Sequence, residues 1–380
     1  MKRLLPYIWA QKDWPSFRWD SGQLLGPLAD ARRLQGAFLG RLTSLGLNLT
    51  EESRALVLCE ETIHTAAIEG QILNREAVRS SVARRLGVDV GALAPGDRNV
   101  DGVVEMMLDA TQNHEKPLTR ERLLGWHASL FPTGYSGLRR INVGAWRDDA
   151  KGPMQVVSGP VGRERVHFEA PAAARLEREM NAFLDWFNRD EGTDLVLRAG
   201  IAHLWFVTIH PFDDGNGRIA RALADMMLAR SEGSPQRFYS MSAQIRIERD
   251  AYFGGLEETQ KGTLDITVRL EWFLACLDRA LDGAESTLAA VLRKARFWES
   301  SQSVPFNERQ RLLLNKLLDG FDGKLTSSKW ARIAKCSQDT ALRDILDLVK
   351  RGILTKDSAG GRSASYSLKE LSQQRGNGRG

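Results

Sequence analysis

One stretch constrains the fold more than any other: IAHLWFVTIHPFDDGNGRIARALADMML, from Ile201 to Leu228. Its first part is apolar on nearly every side, so as a helix it belongs at the buried centre of a body. Pro211 disfavours helical geometry in the residue before it, which places His210 where that helix gives way to a loop. Gly215 and Gly217 remove side chains where the chain has to turn, and RIARALADMML resumes helical spacing at once. GNGRIA also satisfies a loose G-x-G-x-x-A pattern. A dinucleotide fold needs a strand before that pattern, however, and here the preceding segment reads as helix.

The loop and the helix start after it gather a base, two carboxylates and two guanidiniums. A histidine at a helix end can be buried on one side and reachable on the other, with a pKa suited to taking a proton from a hydroxyl. Backbone N–H groups around Gly215 and Gly217 and the N-terminus of the next helix converge on one point, a place for phosphate. Arg218 and Arg221, three apart on one helix face, reach the same anion. Asp214 adds a hard carboxylate of the kind Mg²⁺ requires. A merely structural turn would need no such combination. Other nucleotide signatures are missing: there is no G-x-x-x-x-G-K-[ST], no kinase catalytic loop and no H-E-x-x-H.

Most of the remaining chain also reads as helix, with apolar residues at three- and four-residue spacing in ESRALVLCEETIHTAAIEG, LEREMNAFLDWFNRD, and the long TVRLEWFLACLDRALDGAESTLAAVLRKARFW. PMQVVSGPVGRERVHFEAP, two β-rich runs around Gly159 to Gly162, reads as a hairpin. The first 48 residues carry Trp9, Trp14 and Trp19 with an amphipathic segment and read as a helical cap, the tryptophans as packing residues. No run has the apolar length of a bilayer span, and Pro6, Gln11 and Lys12 break the start in a way that argues against a secretory signal. Cys59, Cys276 and Cys336 are odd in number and widely spaced, which suits a reducing cytoplasm.

SSQSVP, Ser300 to Pro305, is small, polar and Pro-terminated and reads as a linker. Three helical segments follow, then two β-like runs, ILTKD and SASYSL, around Gly360 and Gly361. That is the order of a winged helix-turn-helix, with Gln338 to Arg351 as recognition helix. Arg343, Lys350 and Arg351 are its basic residues, and the wing adds Lys356 and Arg362. Residues 307–380 hold 15 Lys+Arg against 8 Asp+Glu, leaving 38 against 40 for the rest, so the basic pI comes from this part alone. A polyanion partner and a merely solvated basic surface both fit that balance. The last residues, QQRGNGRG, have no apolar side chain and read as a disordered tail.

HPFDDGNGRIAR, His210 to Arg221, resembles the signature of the Fic (filamentation induced by cAMP) family, H-P-F-x-[DE]-G-N-G-R-x-x-R, at every defined position. The resemblance runs from about Ala55 to Leu281 and includes GAWRD before the hairpin and YFGGLEETQKGTLDIT after the motif. It implies a mainly α fold: a Fic-type helical core with a β-hairpin flap, an N-terminal helical cap and a C-terminal winged helix-turn-helix. In residues, this means a helical N-terminal region over 1–100 with an inhibitory helix at about 55–70, a core over 101–299, a winged helix over 306–370 and a tail over 371–380.

The activity so implied is Mg²⁺-dependent transfer of AMP from ATP to a Ser, Thr or Tyr hydroxyl of a protein. His210 would be the general base and Asp214 the metal ligand. Asn216 and the amides of Gly215 and Gly217 would cradle phosphates, Arg218 and Arg221 would grip the distal ones, and Phe212 would be a buried anchor. The hairpin over 153–169 corresponds to the family's flap, whose edge can pair with an extended target segment. HTAAIEG fits the family's inhibitory motif [ST]-x-x-x-E-[GN] through Thr65, Glu69 and Gly70, and Glu69 would then pair with Arg221 and deny it to the γ-phosphate. Removal of AMP at the same site, and a DNA-binding regulator using the body as a nucleotide sensor, are the other readings. ATP, a protein hydroxyl, DNA or a protein at the winged helix, and a homodimer are the partners these readings name; a membrane is not among them.

Overall fold

The computed structural model describes residues 7–369 apart from 43–46, 88–94, 151, 161, 190–191, 236, 302–303, 319–320, 322 and 358–363. The expected tail and the wing residues Gly360, Gly361 and Arg362 lie outside the described residues. Two compact units divide the chain, Met1–Glu285 and Ser286–Gly380.

In the first unit α1 (Ser21–Leu42), α2 (Leu47–Ile68), α3 (Arg75–Leu86), α4 (Arg98–Gln112) and α5 (Arg120–Leu130) precede two hairpins. These are β1 (Tyr135–Ser136) with β2 (Arg139–Arg140), and β3 (Gln155–Ser158) with β4 (Arg165–Glu169). Then come α6 (Leu176–Asn188), α7 (Leu195–Ile209), α8 (Asn216–Glu232), α9 (Met241–Ile247), α10 (Arg249–Gln260) and α11 (Thr267–Ser300). The centre is α7 packed on α8. Every residue from Val196 to Ile209 is buried, as an all-round apolar helix requires. Asp194 caps α7 by accepting the Val196 N–H. α6 instead shows one apolar stripe, burying Leu176, Met180, Phe183 and Phe187 at four-, three- and four-residue steps.

Trp9 and Trp14 are packing residues. Trp9 Nε1 donates to the Glu169 carbonyl at 2.7 Å and Trp14 Nε1 to Glu179 at 2.8 Å, while Trp14 and Phe17 meet Trp205 of α7 edge-on. In the β3–β4 hairpin, Val157 stands opposite Val166, just after a bulge between Val156 and Val157.

The second unit contains α12 (Glu308–Leu318), α13 (Ser327–Ala334), α14 (Gln338–Lys350) and the antiparallel pair β5 (Leu354–Lys356) and β6 (Tyr366–Leu368). Leu313, Trp330, Ile345, Leu348, Leu354 and Tyr366 form its core, together with Phe297 from the last turns of α11. The break between compact units therefore falls at 285/286 rather than in the 300–305 stretch where composition places a linker. A continuous helical period shows that α11 is one helix, but not which core its far end serves.

Candidate active site

His210 is the C-cap of α7, with φ 52° and ψ 59° in the left-handed region. A non-glycine residue there costs about 1–2 kcal/mol. Pro211 excludes the right-handed alternative, and the His210 N–H still closes on the Phe206 carbonyl at 3.0 Å. The ring's Nδ1 lies 3.1 Å from the Val207 carbonyl. A carbonyl only accepts, so Nδ1 carries the hydrogen and Nε2 the lone pair. Burial pushes the imidazole pKa below its ordinary value, and Arg147 adds to that. The Val207 bond and the Glu69 and Asp214 carboxylates oppose it without reversing it.

Arg147, in GAWRD, fixes the backbone on which His210 sits. Its side chain is fully buried, and Nε donates to the His210 carbonyl at 2.7 Å, Nη2 to the Pro171 carbonyl at 2.5 Å and Nη1 to Asp149 at 2.9 Å. Its own N–H donates to the Pro211 carbonyl at 2.9 Å. One side chain thus ties the helix end to the base of the β3–β4 hairpin.

The loop is braced from within. Phe212 is fully buried and stacks on His127 at 4.1 Å with 4° between planes, a contact worth about 0.5–1.5 kcal/mol beyond burial. Burial pushes the His127 pKa down to about 4, and Nδ1 accepts the Gly144 N–H at 3.1 Å. Asn216 accepts the Phe212 N–H at 3.0 Å and donates to the Phe212 carbonyl at 2.8 Å. Both ends of that amide hold the loop, and what Asn216 has left for a phosphate is its second Nδ2 hydrogen and its backbone N–H. The amide saves two buried backbone groups from going unpaired.

α8 starts at Gly215, whose φ of 83° suits only glycine well. The first intrahelical bond is Ile219 N–H to Gly215 O, so the amides of Asn216, Gly217 and Arg218 precede any intrahelical donor position. Asp214, 41% exposed, accepts from Gly215 N–H at 2.5 Å and from the Ser136 hydroxyl, with Arg218 Nη2 at 3.9 Å. Arg218 is buried, lies over the Phe131 ring and donates to Gln71 Oε1 at 3.0 Å.

Arg221, 2% exposed, is held by α2. Nε donates to Thr65 Oγ1 and Nη2 to the Thr65 carbonyl, both at 2.8 Å, and Nη2 lies 2.9 Å from Glu69 Oε1. On its other side stands the Tyr252 hydroxyl at 3.5 Å, itself 2.9 Å from His203 Nε2. Burial works against the Arg221 charge, but Glu69, followed by Tyr252, holds its pKa above the ordinary value.

Glu69 reaches this point because α2 stops one residue earlier. Gly70, at φ 80°, donates to the Ala67 carbonyl and Gln71 N–H to the Ala66 carbonyl, a Schellman ending. Arg249 Nε then takes the Ile68 carbonyl at 3.1 Å. The Glu69 carboxylate rests so closely on Gly217 that a Cβ there would overlap Oε1. An anion from the protein itself is thus seated at the start of α8.

Arg147, Gln71, Ser136, His127 and His203 were not singled out by sequence; of these only Arg147, in GAWRD, carried a signal, while Tyr252 opens the YFGGLEETQKGTLDIT stretch. Among the described residues no three His, Cys, Asp or Glu side chains cluster as a metal site. Asp214, a single half-exposed carboxylate beside an anion site, fits a cation that arrives with phosphate oxygens as its other ligands.

The arrangement is a helical domain built around a histidine at one helix's end and an anion-directed start to the next. Residues 117–228 match the model of the Fic/DOC family. Residues 7–88 match a domain of unknown function, DUF4172. The chain is 37% identical over 209 residues to protein adenylyltransferase fic-1 of Caenorhabditis elegans, covering 54% of this chain and 37% of the relative. To protein adenylyltransferase Fic of Nematostella vectensis it is 35% identical over 115 residues, 30% of this chain and 25% of the relative. It thus spans about a quarter to two-fifths of the length of these curated relatives.

A Fic family protein from Desulfovibrio desulfuricans G20 shares the fold at a TM-score of 0.52 and 20% identity, over 93% of this chain and 97% of that one. A Fic-domain-containing signaling protein from Bacteroides thetaiotaomicron VPI-5482 does so at 0.51 and 21%, over 68% and 97%. Among the described residues no helix is long and apolar enough to cross a membrane.

Proposed function

We propose that this chain transfers AMP from ATP to a hydroxyl of a protein and that Glu69 holds the reaction in check. The observation that carries the reading is the Glu69 carboxylate on Arg221 and Gly217, at the mouth of the helix whose free amides and arginines suit a triphosphate. His210 is neutral with its lone pair on Nε2, so it takes the proton as the hydroxyl oxygen bonds to the α-phosphorus. The bond from that phosphorus to the β-phosphate bridging oxygen breaks, and pyrophosphate leaves. Asp214 would hold Mg²⁺, which supplies charge neutralisation on the phosphates. The amides of residues 216–218 and the Arg218 and Arg221 guanidiniums orient the phosphates and offset the charge that develops.

With Glu69 in place, Arg221 is withheld and the α-phosphate sits off line. A displacement of about 1 Å costs roughly a hundredfold in rate. The edge of the 153–169 hairpin would hold the target segment by strand addition. A DNA-regulator reading draws less support, because the exposed face of α14 carries Leu342 and Leu346, and Arg351 is engaged by Asp347 at 2.7 Å and by the Pro305 carbonyl.

The test is incubation of Glu69→Gly protein with ATP labelled at the α- or the γ-phosphate. The expected result is covalent α-label, about a hundredfold above wild type, no γ-label, and none of either in Glu69→Gly/His210→Ala. Transfer of γ-label, or α-transfer that survives loss of His210, overturns the reading.

A further inference from the structure

The small β1–β2 hairpin is rooted on the carboxylates of the catalytic loop. Ser136 Oγ donates to Asp214 Oδ2, and the Asn142 N–H donates to Asp213 Oδ2 at 2.9 Å. Between these anchors the chain turns at Gly137 and Leu138, which join the paired residues Ser136 and Arg139. In that turn Leu138 is completely exposed, and on the two strands Tyr135 is 49% exposed and Arg139 and Arg140 both face solvent. Among the described residues neither arginine has an ion-pair partner, although most other arginines of this unit are paired with carboxylates or stacked on rings. An apolar side chain held wholly in water beside two unpaired cations suits a partner that is apolar and acidic.

The larger hairpin repeats this chemistry. Val157 and Val166 face each other across β3–β4 at 48% and 40% exposure, with Arg163 exposed beside them. Arg165 and His167 brace the hairpin on α10 through Glu257, at 3.0 and 2.6 Å. Nucleotide phosphates would use the arginines but have no use for Leu138.

We infer that the β1–β2 hairpin is a second docking element for the protein acceptor and selects a segment with acidic residues and an apolar side chain next to the reactive hydroxyl. Leu138 covers the apolar side chain, and Arg139 and Arg140 pair with the carboxylates. This rests on the reading that the acceptor is a protein, but the docking step is measurable without catalysis.

The probes are two synthetic peptides of about a dozen residues, each with one threonine and one leucine, flanked in one by glutamates and in the other by lysines. Fluorescence anisotropy with the full chain and no ATP should show the acidic peptide bound at least about tenfold tighter. Arg139→Glu/Arg140→Glu should reverse that order. Leu138→Ser, at a fully exposed position that cannot unsettle the core, should weaken both peptides. The KM for ATP in the Glu69→Gly background should not move. Equal affinity for the two peptides, or variants that raise the KM for ATP and leave peptide binding intact, overturns the inference. Should Glu69→Gly protein transfer no AMP while still discriminating the peptides, the catalytic reading falls and the docking element stands.

Discussion

Glu69→Gly should lower stability in the absence of nucleotide and return more than was lost when nucleotide binds. Removing one partner of a buried ion pair costs about 3–5 kcal/mol, because the other charge is stranded. Here the loss is smaller. Glu69 is 30% exposed, and Arg221 keeps Thr65 Oγ1 and O at 2.8 Å and the Tyr252 hydroxyl at 3.5 Å. The substitution also lies beyond the last residue of α2, so helix propensity is not at stake. About 1–2 kcal/mol remains, which for a unit of this size lowers the melting temperature by about 2–8 °C.

A triphosphate entering beside Arg221 supplies the missing anion, and nucleotide at a hundred times its Kd adds about 2.7 kcal/mol. In the wild type the same ligand must compete with Glu69 for the guanidinium, and its shift is smaller. Differential scanning of both proteins, with and without Mg²⁺ and a non-hydrolysable ATP analogue, measures all four quantities. Identical melting of the two proteins without nucleotide, together with identical shifts on adding it, would show that Glu69 does not occupy the nucleotide's ground.

Asn216→Ala should cost about 2–4 kcal/mol by stranding the buried Phe212 N–H and carbonyl, seen as an earlier thermal transition; Asn216→Asp, which keeps the acceptor, should lose less. In the Glu69→Gly background, Arg147→Ala should lower kcat for AMP transfer with little change in the Kd for ATP measured by calorimetry, since it holds His210's carbonyl and touches no expected phosphate position. The pH profile of that transfer should be flat from neutrality upward and fall only in acid. The base must be unprotonated and burial depresses its pKa, so protons compete for Nε2 only below the ordinary histidine range. A rate that keeps climbing above pH 7 would assign the proton to another group.

Where the governing rules are local, the sequence was readable. Pro211 announces the end of α7, Gly215 the start of α8, and a four-residue step puts Thr65 and Glu69 on one side of α2. Contacts between distant residues leave no such trace. Arg147 lies 63 residues from the carbonyl it holds, Ser136 lies 78 from Asp214, and Gln71 lies 147 from Arg218. Gly-Asn-Gly likewise does not say which way the Asn216 amide turns, and the structure turns it onto the Phe212 backbone. α3 was not singled out because its buried face mixes Ser80 and Ser81 with Val78 and Val82, which blurs the apolar stripe.

Gly217 offers a single hydrogen as the floor on which the Glu69 carboxylate rests, and the same floor faces the anion that would replace it. Any larger residue there would evict the resident carboxylate and bar the incoming phosphate in one stroke. On the proposed reading, silence and turnover are therefore inseparable at that position, whereas change at the end of α2 can remove the carboxylate while the floor stays bare.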